Sequence, residues 1–67
     1  MTDLERLKAV IKESGMTIKA IAERAEIPRY TLDRRLDGQG EFTASEIVGL
    51  TKALNLKMSE RNKIFLQ

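Results

Sequence analysis

Arg29, Tyr30, Thr31, Asp33 and Arg34 crowd into one short stretch, and each can hydrogen-bond a base edge. Arginine grips guanine through O6 and N7 with paired bonds, which makes Arg29 and Arg34 the candidates for base discrimination. Tyr30 can touch a thymine methyl or a phosphate. Asp33 would repel phosphates, so it either accepts from a cytosine amino group or braces a neighbouring arginine. On a helix turning about 100° per residue, Leu32 and Leu36 point one way. Tyr30 and Arg34 then point the other way, flanked by Thr31 and Asp33, with Arg29 in the first turn. A surface helix without a partner more often carries Lys and Glu at i, i+4. By charge pattern alone, an ordinary solvent-facing side fits these residues equally well.

Other chemistries fall away by inventory. The chain has no cysteine and no histidine, which excludes disulfides, Cys/His zinc sites and histidine acid–base catalysis. Ser14, Ser45 and Ser59 therefore have no histidine to activate them, and the scattered carboxylates read as caps, helix pairs or solvent-facing charge. No enzyme, cofactor, metal or small-molecule substrate is expected. Gly38-Gln39-Gly40 lacks the Lys and Ser/Thr of a nucleotide-binding loop. Gly38 reads instead as a helix stop, and Gly40 as a point where backbone could approach a phosphate. The first residues are charged where a signal peptide would be apolar, and the longest apolar runs are too short to span a bilayer. A soluble, cytoplasmic protein without membrane contact is the expectation. The net charge of +2, from 12 basic and 10 acidic residues, is too small to identify an anionic partner by itself.

The elements that would hold these residues are helices. A chain of 67 residues makes one domain and buries only roughly 60% of its unfolded surface. With two Phe, one Tyr and no Trp, its core must be aliphatic, which suits an all-α fold. The first helix is expected over Asp3–Ser14, with Thr2 and Glu5 forming a capping box. Leu4, Leu7 and Ile11 line its inner face beside Val10, and Gly15 ends it. Thr17 caps a second helix whose buried stripe is Ile18, Ile21, Ala22 and Ala25. The two alanines let a neighbouring helix come close, as a sharp crossing requires.

Pro28 fits the first turn of a third helix and pushes Ile27 out of helical geometry. That helix runs through Leu32 and Leu36 and stops before Gly38, so helices two and three must cross steeply. Gln39–Phe42 form a loop with Phe42 plugging the core. Thr43 and Glu46 make a capping box for a fourth helix with Ile47, Leu50, Thr51 and Leu54 inward. Ser59 caps a short fifth helix ending in Ile64, Phe65 and Leu66.

The stretch Thr17–Gly38 resembles the helix-turn-helix of the phage Cro and repressor type, the XRE-like group. Ile18, Ala22, Ile27, Leu32 and Leu36-Asp37-Gly38 carry the likeness. The longer pattern Leu36–Phe42, Ser45-Glu46-Ile47, Glu60-Arg61 and Ile64-Phe65 looks like small prophage-encoded regulators of that group. The resemblance covers nearly the whole chain. It implies a compact, lambda-repressor-like bundle of about five short helices, with residues 1–67 forming one DNA-binding domain. The third helix, about 28–37, would enter the major groove of double-stranded DNA. Arg29, Tyr30 and Arg34 match base-reading positions, with Asp33 between them. Thr17 and Lys19, together with Thr31, Arg35, Gln39, Gly40 and Thr43, match phosphate-contacting positions.

Such proteins bind as homodimers on two half-sites about one helical turn apart. Dimer contacts would then come from the fourth and fifth helices, with Phe65 and Leu66 as candidates unless Phe65 closes the core. The chain departs from the pattern at Glu26, where the tight turn usually holds Gly, and at Pro28, where a Ser or Thr cap is usual. A left-handed Glu26 would cost roughly 1 kcal/mol. The balanced charge, with Asp33 and Asp37 near the presumed DNA face, also admits a second function for the same fold. That alternative is a protein–protein module of the antirepressor or regulator-binding kind.

Overall fold

Five α-helices are present among residues 1–66, the part of the chain that this computed structural model describes: α1 (Leu4–Ser14), α2 (Ile18–Ala25), α3 (Arg29–Leu36), α4 (Ala44–Ala53) and α5 (Met58–Phe65). No strand occurs among the described residues. The radius of gyration, 10.4 Å, is close to the ~11 Å of a fully packed chain of this length. No described helix is long and apolar enough to cross a membrane.

Local chemistry explains where the helices start. Thr17 Oγ1 accepts from the Ala20 N–H at 3.0 Å and opens α2. Thr43 and Glu46 exchange both bonds of a capping box: Thr43 Oγ1 accepts from the Glu46 N–H, and Glu46 Oε1 accepts from the Thr43 N–H at 2.9 Å. Three expected starts need correction. Asp3, not Thr2, caps α1, its carboxylate accepting from the Arg6 N–H at 3.0 Å. With Asp3 as the cap, the third helical position is Arg6 and not Glu5, so no capping box can form, and the Asp3 N–H bonds the Ile64 carbonyl at 2.7 Å instead. In α5 the cap is Lys57 rather than Ser59, because Glu60 accepts from the Lys57 N–H at 2.9 Å and draws the helix start earlier. Pro28 stands one position before α3 with an extended ψ of 136°, and its carbonyl accepts from the Leu32 N–H to close the first turn.

The first four helices also stop by a shared device. At the end of α2, Glu26 takes φ 57° while its N–H bonds the Glu23 carbonyl and the Ile27 N–H bonds the Ala22 carbonyl. Gly38 and Gln39 repeat this pair of bonds behind α3, and Asn55 and Leu56 repeat it behind α4. Behind α1 a hydroxyl substitutes for one of them. Ser14 Oγ donates to the Ile11 carbonyl and accepts from the Met16 N–H.

Leu7, Ile21, Leu32, Leu50 and Ile64, one from each helix, are fully buried together. Phe42 meets Phe65 edge to face at 5.4 Å, as expected for a loop residue that plugs the core. Phe65 is therefore a core residue and unavailable to a dimer partner; Leu66 alone of that pair stays exposed. The close approach expected of the α2 alanines is made to α4, since the Ala25 backbone lies directly against Gly49.

Candidate nucleic-acid interface

α3 turns Leu32 fully inward and half-buries Leu36, which leaves Arg29, Tyr30, Asp33 and Arg34 on its open side. Tyr30 is 70% exposed, a large aromatic surface left without cover. Two pairs run side by side along this face. Arg29 Nε lies 3.5 Å from Asp33 Oδ2, and the Arg34 guanidinium sits over the Tyr30 ring, 5.6 Å from its centroid. Each pair joins residues one helical turn apart, and each is exposed. Such contacts contribute only a few tenths of a kcal/mol to stability. Each biases the direction of its guanidinium group.

Tyr30, Asp33 and Arg34 line an open groove of about 430 Å³ with Leu36, Asp37 and Gln39 of the α3 end, and with Lys8 of α1. Lys8 was not singled out from the sequence. Periodicity places it outside the α1 core stripe, and only the packing of α1 brings it beside α3. Leu4 reaches to within 3.9 Å of where a β-carbon on Gly38 would stand, which shows how near α1 passes to the α3 stop. Arg29, Thr31, Thr17, Lys19, Gly40 and Thr43 lie outside this groove. Thr31 is half-buried, whereas Thr17, Lys19, Gln39, Gly40 and Thr43 are exposed. The hydroxyls of Thr17 and Thr43 already serve as helix caps.

Arg35, which the resemblance places among the phosphate contacts, is held in the joint between α3 and α4. Its Nε lies 3.1 Å from Glu46 Oε1, and Nη2 donates to Glu46 Oε2 at 3.4 Å. Its Nη1 reaches the Gln39 carbonyl at 3.5 Å. A β-carbon on Gly40 would stand 2.6 Å from that same Nη1, so any other residue would have to nudge the arginine tip aside as well as take the left-handed φ of 86°. Burial pushes the Glu46 carboxyl up, but the Thr43 N–H and the Arg35 guanidinium outweigh it. The carboxyl is held below the ordinary glutamate range.

A helix displayed this way, a short turn after a left-handed helix stop at Glu26, matches a known pattern. The sequence profile of the Cro/C1-type HTH DNA-binding domain matches residues 6–61. The chain belongs to the Cro/C1-type helix-turn-helix family. No curated protein and no solved structure matches it.

As a Cro/C1-type domain the chain is a DNA-binding regulator, with α2 and α3 as its helix-turn-helix pair. Its turn carries Glu26 in a conformation that glycine adopts with least strain. Its α3 starts without any side-chain cap, because Pro28 has none to offer.

Proposed function

We propose that this Cro/C1-type domain is a sequence-specific transcriptional regulator that lays α3 in the major groove of double-stranded DNA as a cytoplasmic homodimer. One observation supports this above the rest: Arg29, Tyr30, Asp33 and Arg34 stand exposed on one side of a helix whose opposite side is anchored by the fully buried Leu32. In this reading Arg29 and Arg34 read guanines, Tyr30 contacts a thymine methyl or the backbone, and Asp33 stands between them. Thr17, Lys19, Thr31, Gln39, Gly40 and Thr43 meet phosphates. Arg35, which also belongs to the phosphate-facing set in this reading, supports the loop that carries Gln39, Gly40 and Thr43. The prophage-like pattern from Leu36 to Phe65 suggests a small regulator of phage type.

Selection of binding sites from a random duplex pool tests this. Palindromic sites with half-sites about 10 base pairs apart are expected. Affinity should fall steeply with salt, at a log–log slope near −0.9 per phosphate contacted. Asp33 and Asp37, which offset Lys8 and Arg34 within the groove, favour the competing reading of a protein-binding module. Absence of any DNA shift at low salt, with a regulator protein bound, would establish that reading instead.

A further inference from the structure

The two arginines on the open side of α3 are held differently. Arg34 lies over the Tyr30 ring, which leaves its N–H edges and its full charge free. Arg29 instead offers its Nε edge to a carboxylate, Asp33 Oδ2, 3.5 Å away. A guanidinium has donors on two further nitrogens, and the Arg29 side chain is 56% exposed, so its Nη fork stays available to a ligand.

We propose that Asp33 is a positioning residue that sets base specificity through Arg29: it holds the guanidinium by Nε, presents the Nη fork to a guanine, and opposes binding wherever that fork finds none. This inference rests on the proposal that α3 enters the major groove.

The chemistry follows from what each kind of duplex offers. At a guanine, O6 and N7 accept both Nη bonds while Asp33 keeps Nε, and every charge stays paired. At adenine, N6–H₂ faces a donor, so the fork loses one bond. Arg29 then swings to a phosphate, and the Asp33 carboxylate is left beside the phosphates without its cation, relieved only where an amino group of adenine or cytosine happens to lie within reach. A carboxylate there is repelled and lacks water to solvate it. In free solution the pair is weak, since both side chains are about half exposed. It strengthens once DNA covers it and displaces solvent. Asp33 thus weakens binding to wrong sequences more than to right ones.

The test compares affinities for a duplex selected by the wild-type protein and a scrambled duplex of the same composition. Wild type, Asp33→Ala, Arg29→Lys and the double variant are measured, with circular dichroism melting to confirm that all are folded. Asp33→Ala should bind the scrambled duplex roughly 5-fold tighter and lose about 10-fold in selectivity. In the Arg29→Lys background, which keeps the charge but lacks the fork, Asp33→Ala should change selectivity by less than about 2-fold. Selectivity unchanged by Asp33→Ala, or lost equally in both backgrounds, overturns the inference while leaving the groove reading intact. A wild-type protein with no preference between the duplexes overturns the groove reading, and this inference with it.

Discussion

Gly49 of α4 lies so close to the Ala25 carbonyl of α2 that a β-carbon at position 49 would overlap it. Helix propensity alone favours Ala over Gly inside a helix by about 1 kcal/mol. Packing opposes this, because the displaced partner is backbone and cannot rotate away. Gly49→Ala should therefore destabilise the protein by roughly 1–3 kcal/mol in urea denaturation. A gain in stability would show that α2 and α4 are further apart than described.

Glu26 should respond in the opposite sense. Its φ of 57° strains a side chain that glycine would not carry. Part of the relief is offset by the greater freedom of glycine in the unfolded chain. Glu26→Gly is expected to raise stability by about 0.5–1 kcal/mol, while Glu26→Ala, which keeps the β-carbon, gives no such gain. Thermal melting of the two variants side by side separates strain from charge.

Acid should loosen the joint between α3 and α4. The Glu46 carboxyl titrates below its ordinary value of 4.5 when folded. A lowered folded pKa means the unfolded chain binds the proton more readily. The contribution is thus fully present above pH 4.5 and is lost as pH falls through the folded value. Glu46→Gln should flatten this part of the stability–pH curve and cost roughly 1–3 kcal/mol near neutrality. Equal acid sensitivity in both proteins would place the proton elsewhere.

Two cations should fail in different ways on DNA. Arg34→Ala is expected to cost roughly 1–3 kcal/mol on the selected site and to relax preference at one base position. Lys19→Ala should weaken all duplexes alike and reduce the magnitude of the salt slope by about 0.9. Titration of both variants against selected and scrambled duplexes checks the contrast. Wild-type behaviour from both would remove these residues from the interface.

What could be read from the sequence was whatever closes within a few residues. Thr17, Thr43 and Glu46 cap helices through partners three positions away, and Gly15 and Gly38 stop them just as locally. The inward residues followed from helical spacing for the same reason. What could not be read depends on a distant partner. The Asp3 cap is tied by its N–H to Ile64, at the other end of the chain, a contact with no local sign. Arg35 turns to Glu46, eleven positions on, a pairing that no local spacing announces. Gly49 gave no local sign, since a single glycine inside a helix looks like a weakness until the backbone opposite it is known. Lys8 lines the groove only because α1 passes the end of α3.

Leu7, Ile21, Leu32, Leu50 and Ile64 meet in one place, each helix contributing a single member. No helix owns a private core, so none can melt while its neighbours persist, and unfolding should be all-or-none. Leu32 is the inner end of the same helix that carries Tyr30 and Arg34. Damage anywhere in this five-way knot, even on α5, would therefore silence DNA recognition at the temperature where the whole protein lets go. The regulator behaves as a switch with one fuse.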